Sequence, residues 1–462
     1  MMQLLGLSYH LRTFGCQMNQ HDSERVAGML DSLGALPVQK AEEADIVVFL
    51  TCCVREAADV RVLGQVASLK NMPTPTGGKR LIAVGGCLAQ RDGVKIVEQV
   101  PHIDIVFGTY NVASLPSLIE AALAGQGAQV EVLEQNQALS TVLPTTELPS
   151  RREQFWHAWL PIMTGCNNYC SYCIVPYVRG REISRPFDEI LREVDTLLSD
   201  GVIEITLLGQ NVNSFGRDLY GETRFAELLR RIGDSGIQRL RFVTSHPKDL
   251  SLETIEAFAE TKAVMPHLQL PVQSGSNRIL AAMNRSYTVE QYLALVDAVR
   301  QAAAAAGKGD GSYQGAVALS TDIIVGFPGE TETDFQATCD LAKAVGFAQA
   351  FTFIYSRRAG TPAAELVDDT PAEVIQDRFQ RLVAAVQQSA WQQNQLEAGR
   401  VNQVLVEGVS KRDPLMLAGR SEKNTTVHAP LPAGSSADEF VGRVLPMRID
   451  TAKTWYLQGE LI

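Results

Sequence analysis

Short apolar runs alternate with helix-patterned stretches along most of this 462-residue chain, and that rhythm constrains the fold more than any other feature. HLRTFGC leads into a helical pattern through SERVAGMLDSL; DIVVFLTCC is followed by one from about Val54; RLIAVGGCLAQR precedes another, and DIVFGTYN comes later. Strands alternating with helices predict a parallel sheet and the α/β class. The rhythm holds over 8–125 and lapses over 126–150, in QGAQVEVLEQNQALSTVLPTTELPS, where a linker with one edge strand is expected. It resumes over 151–392 with candidate strands in WLPIMT, EITLLGQ, RLRFVTS, HLQLPVQ, LSTDIIVG and FTFIYS. Six strand–helix units suit a partial (βα)6 TIM-like barrel, whose reacting groups gather at the C-terminal strand ends. Over 393–462 short strand-like pieces separated by Gly, Pro and Asp predict a small β-barrel. QAAAAAGKGDGSYQG, near 301–315, reads as a helix end and surface loop without chemistry.

The apolar runs are far too short to span a bilayer. The start, MMQLLGLSYHLRTFGC, lacks the charged end, sustained apolar stretch and small-residue cleavage site of a signal peptide. A cytoplasmic monomer without membrane contact is expected. In a reducing compartment the eight cysteines (16, 52, 53, 87, 166, 170, 173 and 339) are poor disulfide candidates and better metal or redox candidates. Cys339, in DFQATCDLAKAV, reads instead as a small buried hydrophobe. A net charge of −11 argues against broad, non-specific nucleic-acid binding. It leaves room for a local basic face; the last seventy residues, with eight Lys/Arg and eight Asp/Glu, are less acidic than the whole.

Cys166, Cys170 and Cys173 form a C-x3-C-x2-C triplet in TGCNNYCSYCIVP. Three thiolates this close can hold three irons of a [4Fe–4S] cube, leaving the fourth open to a small molecule because no fourth Cys lies nearby. Zinc is the rival, although structural zinc takes four ligands from paired motifs; buried structural thiols are a third reading. Cys16, Cys52 and Cys87 form a second set, each following an apolar strand pattern. In a parallel sheet those strand ends share one edge, where ligands gather, and Gly15, Gly85 and Gly86 would allow close backbone approach. Two readings stay open: a second metal site, or three unrelated buried thiols.

The triplet, with Tyr172 before its last Cys, resembles the cluster motif of radical S-adenosylmethionine (SAM) enzymes. There SAM chelates the open iron and is cleaved by an electron from the cluster to a 5′-deoxyadenosyl radical. TFGCQMN, TCCVRE and GGCLAQR resemble the N-terminal signatures of the methylthiotransferases within that superfamily. So do GCNNYCSYCIVPYVRGREISRP, LLGQNVNS, TSHP, LPVQSGS, STDIIVGFPGET and FIYSRRAGTPAA, and the final region resembles a TRAM domain, an RNA-binding barrel. The resemblance implies two [4Fe–4S] clusters, an auxiliary one on Cys16, Cys52 and Cys87 and a SAM-binding one on Cys166, Cys170 and Cys173. Gln210 follows the second barrel strand, where related enzymes place a segment that meets SAM's amino group. Tyr172, Gln273 and Asp322 are further candidates for SAM contact, with Ser274 and the Gly326–Gly329 turn nearby, and a plain turn is the other reading of the last. The chain departs from the family's usual pattern at Leu50, where Asn is common, at Cys53, an added thiol, and at Arg357 and Ala359, where Pro is common.

The implied reaction replaces a C–H bond at carbon 2 of a tRNA adenine by methylthio, using two SAM, a sulfur held at the auxiliary cluster, and an external electron donor. TFGCQMN and PYVRGRE most resemble the branch acting on N6-isopentenyladenosine at position 37, which points to the anticodon arm. The branches acting on threonylcarbamoyl-adenosine or on a ribosomal-protein aspartate, and a non-catalytic iron–sulfur RNA sensor, are the alternatives. Arg179, Arg181 and Arg185, with Tyr177 among them, suit either a phosphate or a SAM carboxylate, or a solvated basic loop. Arg151 and Arg152 read as a solvated pair in a linker. His246 faces a substrate or is structural. Arg420, Lys423, Trp455 and Tyr456 are candidates for RNA contact by charge and stacking, or the two aromatics are barrel core.

Overall fold

The computed structural model describes residues 4–52, 56–70, 72–133 and 148–462, the side chains of 56–61 apart. Cys53 and most of the expected linker (134–147) lie outside the described residues. The chain divides into two compact units: Met1–Gln154 with Thr164–Asn167 and Cys173–Glu182, and Phe155–Met163 with Asn168–Tyr172 and Ile183–Ile462.

In the first unit β1 (Ser8–Thr13), β2 (Leu36–Pro37), β3 (Ile46–Thr51), β4 (Leu81–Gly86), β5 (Ile105–Phe107) and β6 (Gln129–Glu131) form one sheet in the order β2-β1-β3-β4-β5-β6. Every pairing is parallel. β3 and β4 are buried at every residue, because helices cover both faces, so they read as apolar runs and not as alternation. Val26, Leu30, Leu115 and Ile119, from helices α1 (Gln17–Ser32) and α5 (Leu115–Leu123), pack on one face. Val62 and Val66 from α2 (Glu56–Ser68), with Leu88 from α3 (Cys87–Asp92) and Ile96 from α4 (Val94–Gln99), pack on the other. β6 is the edge strand expected within 126–150. The chain steps from β1 outward to β2, then back across to β3. That reversal opens a crevice at the C-terminal ends of β1 and β3, the place where ligands bind in sheets of this order.

In the second unit β7 (His157–Pro161), β10 (Glu204–Leu208) and β11 (Arg239–Phe242) form a parallel sheet, as do β12 (His267–Gln269), β13 (Ala318–Val325) and β14 (Gln349–Ile354). Bonds from Leu240 N to Ala263 O and from Met265 N to Leu240 O join the two sheets, so six strands follow one another as a partial barrel. All six expected strands are present, but WLPIMT is not one strand. Ile162 turns its N–H to Leu208 O (2.9 Å), separating β7 from the short β8 (Met163–Thr164); β9 (Ile183–Ser184) lies on the other side of the cysteine triplet in sequence.

The expected C-terminal barrel is closed, with β15 (Val401–Val409), β16 (Met416–Arg420), β17 (Thr426–Pro430), β18 (Val444–Ala452) and β19 (Tyr456–Leu461) in the order β15-β16-β17-β19-β18. Alternate residues point inward, with Val404, Val406, Leu417, Val427, Met447, Ile449 and Leu457 as its core. It docks where the core strands begin. Glu204 accepts from Arg239 Nε (2.8 Å) and Arg241 Nε (2.9 Å), and both arginines donate to Ser421 O at 2.9 Å. The buried carboxylate fixes two guanidiniums whose remaining N–H groups cap barrel carbonyls, so the charges are paired and hydrogen-bonded as burial requires.

Candidate functional site

The parallel register brings the strand-end cysteines together. Thr51 pairs with Gly86, so Cys52 and Cys87 leave neighbouring strands at one level, and β1 pairs with β3 through Thr13 and Leu50, three residues before Cys16. Cys16 is the N-cap residue of α1, and Cys87 opens α3. Gly15 (φ +114) is required here. A Cβ on it would stand 2.2 Å from Cys52 Cβ, and the Cys52 sulfur would lie 3.0 Å away. Cys52 and Cys87 are buried, while Cys16 is exposed at the rim.

Cys16 is hydrogen-bonded to Cys52, which lowers its thiol to about 5 against the cost of desolvation, with further help from Arg179 and from the Asn19 and Met18 amides at the start of α1. Such an environment favours the thiolate, the form that binds metal. Arg179 is buried there. Desolvation works against its charge, yet its hydrogen bond to Cys87 and the charges of Cys87, Asp22 and Cys16 raise its pKa above the usual range. No group of three His, Cys, Asp or Glu side chains is placed to share one metal ion among the described residues. A cubane asks for something else, since each thiolate takes its own iron. Three thiols at adjacent strand ends, one already favoured as thiolate, with a buried cation beside them, fit that group.

Cys166, Cys170 and Cys173 lie on the single loop between β8 and the helical turn Val175–Val178. Gly165 (φ +79) makes the loop possible, because a Cβ there would meet Arg181 O at 1.9 Å. Within the first unit Cys166 N donates to Gly180 O (3.1 Å), and Asn167 and Glu182 exchange backbone-to-side-chain bonds at 3.3 Å. Within the second unit Ser171 donates its N–H to Met283 O (3.0 Å) and its hydroxyl to Ala282 O (2.8 Å). Arg285 donates to Cys170 Sγ (3.3 Å), Tyr287 Oη (3.0 Å) and Pro271 O (2.9 Å). Burial opposes its charge, but Tyr172, Tyr287 and Cys170 hold its pKa well above the usual range. The cation thus fixes the middle sulfur of the triplet. Sequence reasoning passed over Arg285: NRSY carries no motif signal, and only the fold brings it to Cys170.

The C-terminal ends of the core strands carry a polar chain that crosses four of them. The Thr244 hydroxyl donates to Gly209 O, Thr244 N donates to Gln269 Oε1 (3.0 Å), and Gln269 Nε2 reaches Asp322 Oδ2 (3.4 Å). Gln273 bridges to β13 through Asp322 O (2.8 Å) and Ile324 N (2.9 Å). Thr244 (φ 64) and Gln273 (φ 69) both hold left-handed backbone, which costs of order 1–3 kcal/mol each and collects at functional sites. Beside them Asn211 Oδ1, Asn213 Nδ2, Ser245 Oγ and His246 Nε2 are buried without a hydrogen-bond partner among the described residues. An unmet buried polar atom costs about 1–3 kcal/mol. Four together fit a polar ligand such as the amino-acid end of SAM. Gln210, Gln273 and Asp322 all stand at this mouth. Tyr172 is half-buried against the apolar group of Phe327, Ile324 and Ile279, so the Gly326–Gly329 turn contributes its phenylalanine to the packing.

Other expected residues are placed differently. Arg151 is not simply solvated, since it reaches Tyr9 Oη (3.3 Å) and Asp31 (3.4 Å) and its N–H donates to Glu24 O. Arg152 acts on the buried Glu24. Arg179 is enclosed and unavailable to phosphate; Arg185 pairs with Glu193 (2.8 Å) and caps Pro161 O. His246 caps the turn Pro247–Asp249 by accepting from Lys248 N (3.2 Å), and burial keeps it neutral, lowering it to about 2. Lys423 is tied to Glu397 at 2.6 Å. Tyr456 packs edge-on to His428, while Trp455 remains half-exposed on the barrel.

Residues 160–342 match the radical SAM superfamily, and residues 8–108 match an uncharacterized protein family, UPF0004. The chain is 50% identical over 426 residues to the tRNA-2-methylthio-N(6)-dimethylallyladenosine synthase of Acidothermus cellulolyticus, covering 91% of this chain and 82% of that one. It is 44% identical over 459 residues to the synthase of the same name from Thermoanaerobacter sp. (99% and 93%), and 43% over 458 residues to that of Carboxydothermus hydrogenoformans (98% and 99%). Among solved structures, the radical S-adenosylmethionine methyltransferase TsrM of Kitasatospora setae superposes with a TM-score of 0.54 at 14% identity, over 78% of this chain and 74% of that one, a likeness of fold. With strand-end thiols, triplet and mouth in place along one chain, these matches settle its kinship: it belongs to the tRNA-2-methylthio-N(6)-dimethylallyladenosine synthase family of radical SAM enzymes.

Proposed function

We propose that this protein is a methylthiotransferase acting on carbon 2 of N6-isopentenyl (dimethylallyl) adenosine at position 37 of tRNA. The reading rests on the convergence of Cys16, Cys52 and Cys87 at the β1–β3–β4 strand ends, in a chain that also carries the SAM-type triplet. When bound, the cluster of the triplet supplies the electron that makes the hydrogen-abstracting radical from one SAM, and the cluster of the strand-end set supplies the sulfur that a second SAM methylates.

The chain's own residues hold, orient and shield. Cys166, Cys170 and Cys173 are ligands to one cluster and Cys16, Cys52 and Cys87 to the other. Arg285 orients Cys170, and the Gln269–Asp322 pair with Gln210 and Gln273 receives SAM at the mouth. Tyr172 covers its apolar side. None of these acts as an acid or base on the substrate. Residues 8–125 form the sulfur-supplying part, 151–392 the radical-forming part, joined through 126–150, and 393–462 the RNA-contacting barrel, with Trp455 as its stacking surface. A closed five-stranded barrel of this strand order suits oligonucleotide binding.

The protein works in the cytoplasm as a monomer, with a low-potential electron donor and a sulfur source from outside the chain; among the described residues no helix is long and apolar enough to cross a membrane. Mass spectrometry of tRNA from a strain deleted for the gene tests the assignment. The 2-methylthio-isopentenyladenosine should vanish and its unthiolated precursor accumulate. Unchanged 2-methylthio-isopentenyladenosine would sink the assignment.

A further inference from the structure

The segment that follows the triplet ends its helical turn against the other cysteine set. Ile174, next to Cys173, and Val178 form one buried apolar group with Cys87. The turn is anchored from the same side, where the Thr109 hydroxyl donates to Val178 O (3.2 Å). Arg179 follows, its N–H closing the turn on Val175 O (2.8 Å). Its guanidinium donates to Asn19 Oδ1 (3.2 Å), stands 3.5 Å from Asp22 Oδ2, and hydrogen-bonds Cys87. Asn19 and Asp22 lie on α1, whose N-cap is Cys16. The guanidinium therefore reaches the helix that starts at one expected ligand and the sulfur of another.

A buried cation that hydrogen-bonds a ligand sulfur acts on a cluster in a definite direction. Reduction adds negative charge, which a fixed positive charge stabilises, so the potential rises; charge and hydrogen bonds to sulfur are the protein's levers on such potentials. A buried carboxylate beside that cation works the opposite way. We propose that Arg179 is a positioning residue of the Cys16–Cys52–Cys87 site, raising the reduction potential of the cluster held there, and that Asp22 holds the guanidinium in place and tempers its effect. This rests on the reading that those three cysteines carry a cluster.

The test uses a C166A/C170A/C173A parent, in which any remaining cluster belongs to the strand-end set. Its potential is measured by mediated dithionite titration followed by EPR, in the parent and with R179Q, R179K or D22N added. R179Q should make reduction at least tenfold less favourable, a fall of about 59 mV for one electron. D22N should shift it upward, and R179K should recover most of the parent value. A role in folding alone moves no potential in opposite directions. Because R179Q leaves Asp22 buried and uncompensated, D22N/R179Q is compared with D22N; it should lie lower. Equal potentials with and without Arg179, or shifts of one sign for R179Q and D22N, overturn the inference while the cluster reading stands. A parent that binds no iron overturns the cluster reading, and the inference with it.

Discussion

Cys166, Cys170 and Cys173 are gathered by spacing along one loop, whereas Cys16, Cys52 and Cys87 come from three strands and meet only because β1, β3 and β4 are neighbours in parallel register. Each set has its own glycine that no other residue could replace, Gly165 in one and Gly15 in the other, and each has a buried arginine on one sulfur. The arginines differ in company. Arg179 faces the carboxylate of Asp22. The hydrogen bonds of Arg285 go to a thiol, a phenol and a carbonyl, none of them a carboxylate. The strand-end cation is thus ion-paired with a carboxylate, while the loop-site cation hydrogen-bonds none among the described residues. A site preassembled by topology can share its charge with the helices that build it; a site on a loop takes its charge from a residue that the fold brings to it.

The largest effect separates the two sets by chemistry. C166A/C170A/C173A should lose about half the iron and all 5′-deoxyadenosine formation, as expected if each set holds its own cube. C16A/C52A/C87A should lose the other half and still cleave SAM when supplied with a reductant. Iron analysis and product chromatography read both. Loss of all iron, or of none, in either variant would break the division into two independent sites.

How much of this was legible follows the same division. The triplet stands in the sequence as a spacing, so its chemistry needed no fold. The strand-end set was legible as three cysteines after apolar runs on one expected sheet edge, and as a ligand set only through the resemblance of the words around them, because convergence depends on strand order, which local pattern does not contain. Arg285 was missed for that reason, and Thr244 was seen only as the first residue of TSHP: each becomes important through a partner distant in sequence, Cys170 or Gln269. Arg179 was noticed but misread, since three arginines in a short run resemble a basic patch until Arg179 alone is seen to be buried, with Arg181 exposed and Arg185 half-buried. WLPIMT looked like one strand because its apolar pattern continues through the break at Ile162.

A middle-sized effect tests the uncompensated charge. Arg285→Met keeps the bulk of the side chain but removes its donors from Cys170, Tyr287 and Pro271 O. Pro271 O retains the Tyr287 hydroxyl at 3.3 Å, so the loss falls short of a full orphan. About 2–3 kcal/mol of stability should go, as for a charged hydrogen-bonding group removed from a buried site. Denaturant titration reads that loss, and iron content should fall on the triplet side alone. An equal fall in the strand-end cluster would mean that the two sites are not separately supported.

The smallest effect sharpens the comparison through pH. His246 is kept neutral chiefly by burial and next by the positive charge of Arg285, which together lower it from 6.5 to about 2. The unfolded chain takes up that proton below about 6.5, and the folded protein does not until about 2. His246 therefore costs nothing above 6.5 and subtracts stability progressively as pH falls. His246→Asn keeps an acceptor for Lys248 N, as asparagine does at N-caps, and carries no titrating group. Between pH 6.5 and 5.5 the parent should lose about 1 kcal/mol more than this variant, from the 1.36 kcal/mol that each pK unit represents. In an Arg285→Met background the histidine sheds one of its two cationic neighbours, so its pKa should climb towards 6.5 and the difference seen at the acid end of the range should shrink. A difference that stayed the same down to pH 3 would show that Arg285 leaves no net charge at the loop site, and the contrast with Arg179 would disappear.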